Sequence, residues 1–147
     1  MGLELVVLAA VVFATFFNNA LHFYTQVETY PLFAWVGREE FVPLHKEYQR
    51  RLPVAIYAPY TLLMGSNLLL FFLRPDSVGL GWVVVLLLLN ASVLVESLVL
   101  AAPIHYRMDR EGQDERSIRR LVGLNAIRLG ASTAASAVVF YLLAGVV

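Results

Sequence analysis

Four apolar runs, each long enough to cross a lipid bilayer as a helix, constrain this chain more than any other feature. A helix rises about 1.5 Å per residue, so the roughly 30 Å hydrocarbon layer takes about 20 mainly apolar residues. The runs cover about 3–26, 53–73, 80–102 and 121–147, which together account for most of the 147 residues. Mean hydropathy is +0.70 and only 15% of residues are charged, against about 25% in an ordinary soluble domain. The chain therefore reads as one integral membrane domain over 1–147, with no separate soluble unit. The first run is read as a span and not as a cleaved leader, because it exceeds a typical h-region and lacks a basic start.

The charged residues set the expected orientation. Arg38, Lys46, Arg50 and Arg51 fall between runs one and two, and Arg107, Arg110, Arg116, Arg119 and Arg120 between runs three and four. Only Arg74 lies on the other side, in the short Arg74-Pro75-Asp76 turn. The positive-inside rule then puts both long connections in the cytoplasm and both termini outside. The expected fold class is all-α, a polytopic four-helix bundle of up-down topology. Within the first connection, Phe41, Leu44, His45, Tyr48 and Leu52 recur at helical spacing, which predicts a short interfacial amphipathic helix between helices one and two. Pro53 and Pro103 are taken as a helix start and a helix end.

Composition excludes some functions. The absence of cysteine removes disulfides, thiol nucleophiles and thiolate metal sites. Eleven basic and eleven acidic residues cancel, so no global field recruits nucleic acid. The single lysine, Lys46, is in a connection, which leaves none for an intramembrane Schiff base.

Polar side chains inside the spans point to a site, since a polar group facing lipid is unfavourable and turns inward. Asn18 and His22 share a face of helix one, Tyr57 lies on helix two, Glu96 on helix three, and Asn125 and Arg128 on helix four. Glu96 is seven residues before Pro103 and Arg128 seven after Leu121, so both sit roughly 10 Å from the same boundary. His45, Tyr48 and Arg51 from the first connection and His105 from the second can cover this layer. The expected pocket is polar on its cytoplasmic side and apolar beyond. A buried Glu96–Arg128 pair also has a purely structural reading, as a device that fixes helix register.

Two chemistries fit such a layer. In metal-free acid/base catalysis, His22 or Glu96 removes a proton from a bound molecule while Arg128 and Asn125 stabilise the anion, with Asn18, Tyr57, His45, Tyr48, Arg51 and His105 contacting the substrate. In the other, His22, His45, His105 and Glu96 supply ligands to a transition metal or haem, although no ligand spacing on any helix supports it. The cofactor expectation is thus none, or a transition metal or haem. A small proton-coupled transporter and a non-enzymatic assembly or interaction protein are the alternatives from other classes.

The Asn125-Ala126-Ile127-Arg128 start of the last helix, within a four-span layout of about this length, resembles the anthrone-oxygenase-like family of small membrane proteins. The resemblance extends over essentially the whole chain and departs at Ala126, where the family often carries an aromatic residue. It implies a four-helix fold and oxygenation of a lipophilic polyketide, and it implicates Asn125, Arg128 and His22. The expectation is therefore an oxidoreductase or oxygenase-like enzyme in the bilayer acting on a lipophilic small molecule, with a homo-oligomer left open.

Overall fold

The computed structural model describes residues 2–146, and all regular structure among them is helical. Four long helices carry the fold: α1 (Leu3–Trp35), α2 (Arg38–Phe72), α3 (Leu80–Glu111) and α4 (Glu115–Ala144), each long and apolar enough to cross a membrane. They contain 33, 35, 32 and 30 residues, or ~45–52 Å at 1.5 Å per residue. That exceeds the ~30 Å hydrocarbon layer by about three to four helical turns. The stretches expected to be connections are instead helical continuations of the spans. The amphipathic segment is the first fifteen residues of α2, Arg38–Leu52, and runs without a break into the apolar part. Likewise α3 passes through Pro103 and ends at Glu111.

Proline explains why boundaries read from sequence differ from those observed. A proline within a helix lacks the N–H for the carbonyl four residues back, and its ring crowds that carbonyl. Pro31, Pro59 and Pro103 each stand two residues beyond a widened π turn, namely Thr25–Thr29, Pro53–Tyr57 and Ser97–Ala101. In every case the residue directly before the proline donates five residues back: Tyr30 N–H to Thr25 O, Ala58 N–H to Pro53 O, and Ala102 N–H to Ser97 O. The extra residue in the turn carries the crowded carbonyl away from the ring, so the helix continues. Pro43 and Pro53 are also accommodated inside α2.

The true breaks are short. Val36-Gly37 turns α1 into α2, and residues 73–79 join α2 to α3 with Val78 N–H bonded to Pro75 O at 2.9 Å. Gly112, at φ 88°, ends α3 where a side chain would be strained. Two residues on, Asp114 caps α4 by accepting from the backbone N–H of Arg116 (3.2 Å) and Ser117 (3.0 Å). Gln113 donates from Nε2 to Phe33 O (2.7 Å) and Val36 O (3.1 Å), locking this corner to the other one.

Two apolar clusters mark the ends of the bundle. One joins Val7, Leu8 and Val11 of α1 to Leu70, Val83, Leu86, Val139 and Leu142. The other gathers Tyr30, Phe33, Phe41, Ile104, Met108, Ile118 and Leu121, all within or next to the charged continuations. The second cluster gains from the hydrophobic effect, at about 1.5–3 kcal/mol for each large side chain removed from water. Within lipid that term vanishes, and association rests on close packing and polar bonds. Asn18 illustrates the second kind: buried on α1, it donates to Ala14 O (2.9 Å) and to Pro59 O of α2 (3.3 Å).

Candidate functional site

Between α2 and α3, with α1 and α4 behind, lies a cavity of about 910 Å³. Its long walls are apolar, including Met64, Leu68, Leu87 and Leu94. One end is polar, where His22, Tyr30, Tyr48, His105, Asn125 and Arg128 converge. Tyr57, Leu68 and Leu98 line the cavity and are also exposed on the outside of the bundle, so it opens sideways between α2 and α3.

Arg128 organises the polar end. It is 6% exposed and reaches two other helices. Its Nη1 donates to Ser97 Oγ of α3 (3.1 Å), and its Nη2 to the Tyr30 hydroxyl of α1 (3.3 Å). Its Nε lies 3.6 Å from Glu96 Oε2, close enough for an ion pair and too far for a hydrogen bond. The Ser97 hydroxyl in turn donates to Val93 O (2.7 Å). Both partners depend on the π turns: Tyr30 directly follows Thr25–Thr29, and Ser97 opens Ser97–Ala101. Glu96 and Arg128, matched in depth by counting, therefore meet in space.

Asn125, fully buried one turn before Arg128, donates from Nδ2 to the backbone O of His22 and to Gln26 Oε1, both at 2.9 Å. Because both partners are acceptors, the amide orientation is fixed and Oδ1 faces away from them. That Oδ1 has no hydrogen-bond partner, nor do Arg128 Nε and the two Glu96 carboxylate oxygens. Buried polar atoms are normally paired, and of these four Asn125 Oδ1 and Arg128 Nε belong to residues that line the cavity.

From Tyr30 a chain of hydrogen bonds runs outward to Asp109, which also lines the cavity. The Tyr30 hydroxyl is 3.1 Å from His105 Nε2, His105 Nδ1 is 3.0 Å from His45 Nε2, and His45 Nδ1 is 2.6 Å from Asp109 Oδ1. His45 is fully buried, whereas the Asp109 side chain is 22% exposed at the outer end. Phe41 stacks on His45 with ring centroids 5.3 Å apart, Phe33 meets His45 edge-on at 5.3 Å, and the two imidazoles stack at 5.2 Å. His105 lies beyond the apolar stretch of α3; burial, together with the nearby His45 and Arg128, holds its pKa down at about 3. Burial and the neighbouring Tyr30 push the Tyr48 phenol upward.

The expected site residues divide by position. His22, Asn125, Arg128, Tyr57, Tyr48 and His105 line the cavity. Glu96 stands behind Arg128, and His45 behind His105. Asn18 is spent on helix contacts, and Arg51 is exposed, paired through Nε with Glu47 at 2.8 Å. For metal binding, both ring nitrogens of His45 face Asp109 and His105, and both of His105 face His45 and Tyr30. Among the described residues no three His, Asp or Glu side chains form a metal-binding group, so this donor set does not fit a metal.

Tyr30, Asp109, Gln26 and Ser97 are the participants that sequence reasoning missed. His105 and Asp109 are four residues apart, a same-face spacing that would have flagged the pair had α3 been expected to continue past Pro103. Comparison with known proteins gives no match to any family model, any curated protein or any solved structure. The reading of the site therefore rests on its geometry.

Proposed function

We propose that the chain is an integral membrane enzyme of up-down topology that takes a neutral, hydroxyl-bearing lipophilic molecule from the bilayer and carries out acid/base chemistry at its polar end. In this reading both termini lie outside, and the charged helical continuations, with the polar end of the cavity, face the cytoplasm. The nine cationic residues on that side against Arg74 on the other support the orientation. The start of α2 lies at the membrane surface, where Trp35, 87% exposed, suits the headgroup level.

The observation that carries the proposal is a pair of unbonded atoms at the polar end, beside a charge-neutral ion pair. Arg128 and Glu96 cancel, so the resting site carries no net charge to draw in a ligand that is already anionic. The acceptor Asn125 Oδ1 and the donor Arg128 Nε lack hydrogen-bond partners, and both residues line the cavity. A hydroxyl group both donates and accepts, and it satisfies such a set without adding charge. The apolar walls hold the rest of the molecule, and the opening between α2 and α3 admits it from lipid. Arg128 stabilises the oxyanion formed when the hydroxyl loses its proton. Such an electron-rich anion is the form that dioxygen oxidises, which is where the resemblance to anthrone-oxygenase-like proteins leads. A transport role is disfavoured by the opposite end of the bundle, where Val7, Leu8, Leu70, Val83 and Leu86 close the interior with apolar packing.

The test is binding to the full chain in nanodiscs of a long-chain alkylphenol, its methyl ether and a fatty acid of equal length. The phenol is expected to bind at least about tenfold more tightly than the ether, since losing its donor leaves the buried Asn125 Oδ1 unpaired, and more tightly than the acid. Tighter binding of the fatty acid, or no binding of any of the three, overturns the reading.

A further inference from the structure

The hydrogen-bond chain that runs from Arg128 to Asp109 has ends of fixed character, and the ends determine its direction. Arg128 can only donate, so its Nη2 gives a proton to the Tyr30 oxygen. The Asp109 carboxylate can only accept, so His45 carries its proton on Nδ1. With His45 in its neutral form, Nε2 holds a lone pair and His105 carries its proton on Nδ1. His105 Nε2 is thereby an acceptor, and the Tyr30 hydroxyl donates to it. Every bond in the chain points outward.

We propose that Tyr30, His105, His45 and Asp109 form a proton exit, with the Tyr30 oxygen taking the proton from the molecule in the cavity. The inference rests on the cavity being a ligand site, as argued above. In the transfer, the bond from the ligand hydroxyl to its proton breaks and a new O–H bond forms at Tyr30. The Tyr30 proton passes to His105 Nε2, the His105 Nδ1 proton to His45 Nε2, and the His45 Nδ1 proton to Asp109 Oδ1. The sum is a ligand oxyanion beside Arg128 and a neutral carboxylic acid at Asp109, with no change in electron count. Asp109, partly exposed, then exchanges with water. The chain now points inward and is set to return a proton, as an acid/base cycle requires.

Glu96 is the rival base, and its position argues against it. Glu96 stands behind Arg128 and is not among the residues that line the cavity, whereas Tyr30 and His105 are. The relay delivers the proton to the end of α3, well away from Arg128. Tyr30 and His105 line the cavity close to Arg128 and act on the ligand directly; His45 stands behind His105, and Asp109, at the outer end of the chain and of the cavity lining, accepts the proton.

The experiment is 15N NMR of histidine-labelled full-length protein in nanodiscs, which distinguishes the two neutral imidazole tautomers and imidazolium. At neutral pH, His45 and His105 are both expected to be protonated on Nδ1 alone. In Asp109→Asn the terminal group can donate, so the chain is free to reverse and Nε2–H forms appear at both residues; Asp109→Glu restores the original pattern. Nε2–H tautomers or an imidazolium at either residue of the wild type overturn the proposal. A second readout uses a bound alkylphenol, whose ionisation is followed by its ultraviolet absorption. Asp109→Asn and Tyr30→Phe are expected to lower the ionised fraction of the bound phenol at least about tenfold. Phenol binding with ionisation insensitive to both substitutions sinks the exit and leaves the ligand site standing, whereas failure of every probe to bind refutes the site itself.

Discussion

Replacing either member of the Arg128–Glu96 pair tests which of the two holds the bundle together, and the geometry predicts a clear asymmetry. At 3.6 Å the Coulomb attraction is ~5 kcal/mol with an effective dielectric constant near 20, and the desolvation of two buried ions offsets much of it. Glu96 has this single polar contact, since neither of its oxygens accepts a hydrogen bond. Arg128 has the same contact plus bonds to Ser97 and Tyr30 on two other helices. Hydrogen bonds inside membranes average only ~0.6 kcal/mol and reach ~1.7, and those to charged groups lie toward the upper value. Glu96→Gln is isosteric and leaves Arg128 a buried cation without its counter-charge, for an expected loss of ~3–5 kcal/mol. Arg128→Met likewise breaks the pair and also removes both hydrogen bonds, for a further ~1–3 kcal/mol, together with the donor at the head of the Tyr30 relay. Reversible unfolding in mixed micelles, read by tryptophan fluorescence and circular dichroism, gives both values. Equal losses, or a larger loss for Glu96→Gln, would refute the assignment of Arg128 as the residue that ties three helices.

Two further outcomes follow from the same physics. His105 is neutral when folded, with its pKa near 3, against 6.5 when unfolded; below 6.5 the unfolded chain binds the extra proton, so this contribution to stability is complete above that pH and declines as pH falls toward 3. Subtracting the acid-unfolding profile of His105→Phe from that of the wild type isolates the term, and a difference that is flat across this window contradicts the burial argument. For α3, a variant with Pro103→Ala and one residue deleted from Ser97–Ala101 converts the π turn to an α turn while keeping both ends in register. It is expected to fold with the His45–His105 contact intact, read by the histidine NMR pattern, whereas Pro103→Ala with a deletion in the regular helix at Leu88 should shift His105 by about 100° around the axis and lose it.

The four spans were legible because their signal depends only on length and apolarity, which no tertiary contact has to supply. The meeting of Glu96 with Arg128 was legible for a related reason: both lie inside spans whose ends could be fixed, so counting residues measured depth. Asn125 and His22 followed from helical periodicity. What could not be read was the fate of the segments beyond the spans. Pro53 and Pro103 are boundary signals in an isolated helix, and only the widening of a nearby turn lets the helix continue. Nothing in the residues Ser97-Leu98-Val99-Leu100-Ala101 announces a π turn, because the extra residue is imposed by Pro103 and by packing on both sides. In the sequence Tyr30 carries no signal beyond its aromatic ring, and Asp109 none beyond its charge. Each acquires its role only when α1 and α3 extend past the bilayer boundary side by side.

The same extension answers why so many polar groups can be buried in so small a protein. A relay built wholly within lipid would need its outer terminus to be a charge in hydrocarbon, which is costly. A relay built wholly on the surface would have water beside each group and no fixed direction. Here the three π turns fall near the boundary between the apolar spans and the charged continuations, and Tyr30, Tyr57 and Ser97 are placed by them. Arg128 stands on the lipid side of that boundary, and Asp109 stands beyond it, where its charge can reach water. Between them, Phe33 and Phe41 keep His45 dry, so that both imidazoles hydrogen-bond to protein groups and the chain holds its direction. The helical continuations thus do more than join the spans: they give the cavity a protein-lined path for protons between lipid and water.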